Sequence, residues 1–310
     1  NIAIGSSALG ALDTAGGDDG DGNIAIGANA GDAATTMDGG ILIGQDAGGA
    51  ITTGDHNNFI GASAGQATTT GHSNTAVGHN ALYTNIDGDG GVAIGFEALY
   101  TSEPSDGLSN NVAIGYRAGK ATTTGTGNTL IGSNAGTAVT TGTSNVAIGA
   151  DALKTNNIGT KNVAVGEGAL QDNVDGSKSV AVCTNALTSQ EPSGATDMHN
   201  VAIGEEAGAS ISTGTTNTIV GSLAGDALTT GSGNTALGYN VAFSAVGASN
   251  QTVIGNGAVG TGNNTAVIGN TSITQINPGS TASCSLGDTT NSYKDLFLNL
   301  LEYFHMNPHA

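Results

Sequence analysis

The residues of this 310-residue chain that could do chemistry are a few carboxylates and histidines. Acidic clusters occur at 18–22 (Asp-Asp-Gly-Asp-Gly) and 87–89 (Asp-Gly-Asp), and clustered oxygen ligands are what Ca²⁺ prefers. His305 and His309 would converge on an axial metal if three chains met at their C-terminal ends. The closing acid of an EF-hand calcium loop is missing, so we favour solvated turn acids for the two clusters. The six histidines of the chain have no ordered companions, so we favour an incidental tail for His305 and His309. The metal candidates are Asp18, Asp19, Asp21, His305 and His309.

Paired carboxylates also raise the possibility of glycoside hydrolysis. The pairs are Glu205 with Glu206 and Glu97 with Glu103, and we expect them on turns with no aromatic platform for a sugar. The sequence contains no nucleophile elbow, phosphate loop or zinc-ligand spacing. We therefore predict no enzyme, no catalytic residue and no cofactor, with Ca²⁺ as the one possible ligand ion.

Composition excludes an ordinary globular domain and several kinds of partner. The chain has 52 Gly, no Trp and 4% aromatic residues, so its mostly small apolar side chains cannot fill a thick core. Six basic and 25 acidic residues give a net charge of 6 − 25 = −19, which repels phosphates and anionic lipids. No apolar run approaches 18 residues. We predict neither nucleic-acid binding nor membrane insertion.

One phrase, Asn-x-Ala-(Ile/Val)-Gly-x-x-Ala, organises the chain. Most steps between its glycines are 17 residues, with exceptions of 22, 20, 21 and 14, and Cys183 fills one glycine position. Extra residues that leave the phrase intact are typical of loops on a solenoid, and we expect them to bulge outward. The sequence predicts an all-β, left-handed parallel β-roll or β-solenoid of about 16 coils. The glycines are 5, 27, 44, 61, 78, 95, 115, 132, 149, 166, 204, 221, 238, 255 and 269.

Each coil has a short strand that is apolar on both faces. The residue before the glycine is Ile, Val or Leu from Ile4 to Ile268, and we predict that it forms a ladder inside the coil. The residue before that, usually Ala, then faces the opposite side. A thin coil has only one interior, so the other face needs a cover, and an identical chain is the economical one. We predict a homotrimer, intertwined or side by side.

The residues after the glycine divide the coils into two kinds. An alanine three residues later, from Ala8 through Ala224, indicates close backbone approach, either across the coil or at an oligomer axis. The next residue is Gly in one kind, which continues into pairs such as Thr123-Thr124, and Leu in the other kind. We interpret the Thr pairs as hydroxyl ladders between coils, with an ice-binding array as the minor alternative.

Two resemblances carry the functional prediction. The phrases at 111–115 (Asn-Val-Ala-Ile-Gly) and 200–204 (Asn-Val-Ala-Ile-Gly) resemble the head repeat of trimeric autotransporter adhesins, and this likeness covers roughly residues 1–273. It implies a left-handed β-roll that trimerises and binds host surfaces. The segment 286–298 (Leu-Gly-Asp-Thr-Thr-Asn-Ser-Tyr-Lys-Asp-Leu-Phe-Leu) is similar to a stretch of many bacteriophage tail fibres.

Together these observations predict a shaft at 1–273 and a C-terminal cap or trimerisation segment at 274–310. The predicted function is a structural, extracellular host-attachment fibre of the phage tail-fibre kind, which binds itself, a host receptor or glycan, and other virion proteins. A bacterial trimeric surface adhesin or an extracellular filament is the alternative. We expect contacts in the inserted loops 10–22, 102–110 and 189–199 and in the cap. The contact candidates are Glu103, Asp106, Glu191, Asp197, Tyr303 and Phe304.

Overall fold

The protein is an all-β parallel solenoid in its computed structural model, which describes residues 1–13, 20–103 and 107–273. The chain divides into two compact units, Asn1–Asn270 and Thr271–Ala310, and only the first three residues of the second are described. In the described part there is no helix, and hence none long and apolar enough to cross a membrane. The strands are β1 Ile2–Ile4, β2 Ile24–Ile26, β3 Ile41–Ile43, β4 Asn58–Ile60, β5 Thr75–Val77, β6 Val92–Ile94, β7 Val112–Ile114, β8 Thr129–Ile131, β9 Val146–Ile148, β10 Val163–Val165, β11 Gly176–Ser177, β12 Val180–Val182, β13 Thr196–Asp197, β14 Val201–Ile203, β15 Thr218–Val220, β16 Thr235–Leu237, β17 Thr252–Ile254 and β18 Ala266–Ile268.

Sixteen of these strands form one parallel sheet in chain order, β1 to β10, then β12, then β14 to β18. Every strand pairs with the next at the same position of the repeat, for example Ala147 opposite Ala164. Residues at the same offset from the repeat glycine therefore stack directly above one another. The predicted parallel β-solenoid with a 17-residue repeat is confirmed, whereas the hand of the coil and the trimer stay predictions.

The two faces of the sheet are the reverse of the prediction. The middle residue of each strand from Ala25 to Val253 is fully buried, whereas the residue before the glycine lies on the outer face, as at Ile148 with 38% exposure. The predicted ladder inside the coil is wrong: the Ile, Val and Leu side chains form a ladder outside it. Side chains alternate along a strand, so a buried middle residue places its neighbours on the outer face. The alanine three residues after the glycine, from Ala30 to Ala224, is also fully buried. This alanine thus marks close approach across the coil.

Large buried side chains fill the interior from two positions of the coil. A strand with Leu42, Phe59, Leu130 or Ile219 at its centre is followed by Gly four residues after the repeat glycine, and a Leu at that offset always follows a central Ala. Three coils with a central Ala have Gly at that offset as well, and large side chains of neighbouring coils reach into them. The reason is steric: a Cβ on Gly136 would lie 2.6 Å from Leu130 Cδ2. The large residue also reaches the coil before it, since a Cβ on Gly119 would lie 2.7 Å from Leu130 Cδ1. The two kinds of coil are therefore two ways to fill one volume.

A ladder of buried asparagines joins successive coils. Asn145 Oδ1 accepts the Asn162 N–H at 3.0 Å, and Asn145 Nδ2 donates to the Gly159 carbonyl at 2.8 Å. The same pair of bonds recurs at Asn128 and Asn217, and all of these side chains are fully buried. Each asparagine satisfies a strand N–H and a corner carbonyl that would otherwise be buried without partners.

The inserted segments do more than bulge outward, which corrects that expectation. Where the ladder has Gly91 in place of Asn, Ser109 of the second insertion is fully buried, and its Oγ lies 3.5 Å from where a Cβ of residue 91 would be. Where it has Ser179, the Gln190 side chain accepts from Ser179 Oγ at 3.1 Å and from Asn200 Nδ2 at 2.9 Å. The coils with insertions therefore supply polar groups near the ladder positions where Gly91 and Ser179 replace asparagine.

Because residues 130 and 136 share one buried space, we predict that substitutions at Leu130 and Gly136 have non-additive effects on the free energy of unfolding. Leu130→Ala leaves a cavity and costs about 2–5 kcal/mol, and Gly136→Leu alone overpacks the coil at about 1–3 kcal/mol. The double variant converts this coil to the Leu kind, and Leu153 already occupies the equivalent offset with φ 52°. We expect its loss of unfolding free energy, measured by urea denaturation, to be smaller than the sum of the single losses by at least about 1 kcal/mol. Additive losses would contradict the shared volume.

Removing one rung tests the asparagine ladder. Asn145→Ala strands the Asn162 N–H and the Gly159 carbonyl in a buried site, and each stranded group costs about 1–3 kcal/mol. We expect a loss of about 3 kcal/mol in the free energy of unfolding. Thr141→Ala, at an exposed position of the same coil, is the control and should stay within about 0.5 kcal/mol of the parent chain. Equal effects at the two positions would show that the ladder is not needed.

Candidate functional site

An aliphatic stripe runs along the outer face of the sixteen-stranded sheet. It consists of the residue before each repeat glycine, or before Cys183 where cysteine replaces the glycine. Ile60, Ile114 and Ile203 of the stripe expose 36–41% of their surface. Spacing of about 4.8 Å between strands makes the stripe about 70 Å long. Soluble monomers rarely expose contiguous apolar patches beyond about 300–600 Å². The stripe residues are Ile4, Ile26, Ile43, Ile60, Val77, Ile94, Ile114, Ile131, Ile148, Val165, Val182, Ile203, Val220, Leu237, Ile254 and Ile268.

A second feature is an aromatic cluster on the three coils that begin at Gly78, Gly95 and Gly115. At offset one, Phe96 stacks between His79 and Tyr116, with ring centroids 5.6 and 5.4 Å apart. At offset five, Tyr83 stacks on Tyr100 with centroids 4.9 Å apart and an interplanar angle of 4°. Most aromatic residues of the described chain are collected here, in two parallel columns.

Glu97 ties the two columns together through basic residues. Its Oε2 accepts from Lys120 Nζ at 2.7 Å and from Arg117 Nε at 3.0 Å. The Arg117 guanidinium lies 4.9 Å from the Tyr116 ring centroid, and the Lys120 ammonium lies 5.8 Å from that of Tyr100. The hydrogen bond from Lys120 lowers the pKa of Glu97, and the bond and charge of Arg117 act in the same direction against partial burial. These contacts fix the orientation of the rings.

The expectation that the paired carboxylates lack aromatic neighbours is wrong for Glu97. Both of its basic partners lie over aromatic rings, and Glu97 and Glu103 have separate partners. The sequence held a signal for this cluster, because His79, Phe96 and Tyr116 share offset one. Equal offsets in a solenoid become contacts, so an alignment of the aromatic residues by offset predicts the cluster.

The predicted metal ligands are only partly within the described chain. Asp21 is exposed, and its N–H donates to Asp38 Oδ1 at 2.7 Å. Asp18, Asp19, His305 and His309 lie outside the described residues. Residues 1–13, 20–103 and 107–273 contain no group of three or more His, Cys, Asp or Glu residues that could hold a metal ion. Ca²⁺ binding stays an untested prediction.

The predicted contact residues within the described chain, Glu103, Glu191 and Asp197, do not come together as one site. Glu103 is half-buried, and its Oε2 accepts the Ile86 N–H at 3.0 Å; burial raises its pKa. Asp197 is exposed and accepts from Lys178 Nζ at 2.5 Å, which lowers its pKa. Glu191 is exposed beside the third insertion. Asp106, Tyr303 and Phe304 lie outside the described residues.

The threonine pairs act as rungs between coils. Thr52 Oγ1 donates to the Thr69 carbonyl at 3.1 Å, and Thr123 Oγ1 donates to the Thr140 carbonyl at 3.1 Å. The first hydroxyl of each pair is therefore engaged within the chain. This arrangement favours the internal ladder over an ice-binding array.

No protein-family model matches the chain, and no curated protein shows significant similarity to it in sequence.

The ion pairs of Glu97 predict a pH-dependent contribution to stability. A lowered pKa in the folded chain stabilises it above the pKa of the unfolded chain, and this contribution is lost as pH falls through the lowered value. We expect Glu97→Gln to reduce the free energy of unfolding by about 1 kcal/mol at neutral pH, since the pairs are partly exposed. The difference should vanish in acid, measured by urea denaturation across pH. Glu205→Gln, at an exposed glutamate outside the ion pairs of the described chain, is the control.

Proposed function

We propose that the chain is the shaft of an extracellular attachment fibre in which three copies pack through the aliphatic stripe. The stripe is the observation that carries the proposal, because it is uninterrupted over sixteen strands and contains no charged residue. Burying it removes apolar surface from water at about 25 cal/mol per Å². The net charge of −19 keeps a long particle soluble and disfavours nucleic acid as a partner.

The tail-fibre-like segment at 286–298 supports a phage fibre, which acts on a host surface through repeated weak contacts. Three copies raise the effective concentration of each contact, so modest single affinities suffice for attachment. The adhesin-like repeat supports a bacterial trimeric surface adhesin as the second candidate. Antibodies against the chain distinguish the two: labelling of virion tails supports the fibre, and labelling of cell surfaces supports the adhesin.

Native mass spectrometry of the full chain tests the assembly, and three chain masses are expected. Ile114→Lys combined with Ile148→Lys places charges in the stripe, so we expect a shift from trimer to monomer. Thr124→Lys combined with Thr141→Lys, at exposed positions outside the stripe, should leave the trimer intact. A stable monomer of the parent chain would contradict the proposal.

A fluorescent label covers the case in which the lysine variant does not fold. Pyrene on Ile148→Cys, with Cys183 and Cys284 replaced by Ser, should show excimer emission because copies meet at the stripe. The same label on Thr141→Cys should not. Excimer emission at Thr141→Cys alone would place the contact on another face.

A further inference from the structure

A groove of about 430 Å³ lies beside the aromatic cluster, on the four coils that begin at Gly27, Gly44, Gly61 and Gly78. Its lining residues lie two, five and six residues after the repeat glycine, at a corner of the coil, whereas the aliphatic stripe lies on the strand. The groove exists because offsets five and six carry only small residues in the second coil, Gly49 and Ala50. Four coils at about 4.8 Å each give it a length of about 14 Å between first and last.

Tyr83 closes one end of the groove with a ring face. Its ring stacks on Tyr100, which belongs to the following coil, so that face is covered. The opposite side of the ring points back towards Gln66, which has the same offset one coil earlier and also lines the groove. The stack and the Lys120 ammonium beyond it hold the ring in place. The groove therefore ends at an aromatic ring whose orientation is set before any ligand arrives.

Polar groups line the rest of the groove. Asp46 accepts from Asn29 Nδ2 at 2.9 Å and from Gln45 Nε2 at 3.1 Å, one bond to each carboxylate oxygen. These bonds orient the carboxylate and leave further lone pairs for a ligand donor. Asp32 and Gln66, at the same offset as Tyr83, add another carboxylate and an amide. A ligand here meets acceptors, an amide and one flat apolar surface.

We propose that this groove binds a neutral oligosaccharide, with one sugar ring packed against Tyr83 and Gln66 and hydroxyl groups donating to Asp46 and Asp32. A pyranose ring combines a flat C–H face with hydroxyl donors, which matches an aromatic face beside fixed carboxylates. The same carboxylates and the net charge of −19 disfavour acidic sugars. The inference deepens the proposed function, on which it rests, by giving the receptor contact a place and a ligand class.

The test is calorimetric titration of the full chain with neutral hexasaccharides of glucose, mannose and N-acetylglucosamine, and with hexagalacturonate as the acidic comparison. Saturable binding of at least one neutral sugar is expected, with weaker or no binding of hexagalacturonate. Tyr83→Ala should weaken the affinity about tenfold, the loss of one aromatic stack. Tyr239→Ala is the matched control, because it removes an exposed tyrosine outside the groove and should leave the affinity unchanged.

Asp46→Asn keeps the shape of the groove and removes one charge, so it should narrow the difference between neutral and acidic sugars. Three outcomes would overturn the inference: no saturable binding of any neutral sugar, unchanged affinity in Tyr83→Ala, or a preference of the parent chain for hexagalacturonate. The mass of the native assembly distinguishes a failure of the sugar-binding inference from a failure of the proposed fibre. A trimer that binds no sugar rejects the groove alone, and a monomer that binds sugar through Tyr83 rejects the fibre alone.

Discussion

The asparagine ladder is the constraint on which the rest of the structure depends. Each side chain bonds the strand N–H of the next coil and a corner carbonyl fourteen residues ahead, as Asn128 does with Asn145 and Gly142. The corner lies three residues before the next asparagine, so the two bonds together define a 17-residue coil. Both groups are buried, and a coil of another length leaves them without partners unless its extra residues replace the missing contacts. In two of the longer coils, Ser109 and Gln190 are buried and accept hydrogen bonds from the ladder residues Asn111 and Asn200.

A coil closed by this ladder encloses little volume, and that scarcity decides which face of the strand points outward. The repeat glycine has no space for a Cβ, since one on Gly149 would lie 2.5 Å from the Gly166 carbonyl oxygen. Inside, large side chains and the alanines fill the space, so Gly136 must be Gly where Leu130 is Leu. The middle residue of each strand already points into this space, so the residue before the glycine points outward. The aliphatic stripe is thus a consequence of a thin core as much as a surface selected for contact.

The fold could be predicted from the sequence because its repeat is nearly free of ambiguity, whereas the details that depend on volume could not. Spacing of the phrase predicts the strands, their parallel order and their register. It does not say which face is inside, because Ala25 and Ile26 are both apolar and only packing distinguishes them. Glu97 and Arg117 lie twenty residues apart across an insertion, yet they occupy the same offset on neighbouring coils. Distance from the repeat glycine therefore predicts such contacts, whereas separation along the chain does not.

Equal offsets also explain why the chain can carry two surfaces without conflict. The stripe occupies the strand, and the groove that ends at Tyr83 occupies a corner separated from the strand by the buried alanine at offset three, such as Ala81. In the proposed assembly, copies that pack through the stripe keep the groove available, once in each chain. A weak ligand contact repeated in this way gains avidity without any change in the groove itself. In this proposal, the stacking that makes one coil like the next lets a few altered coils, those from Gly27 to Gly115, carry recognition while the others carry length.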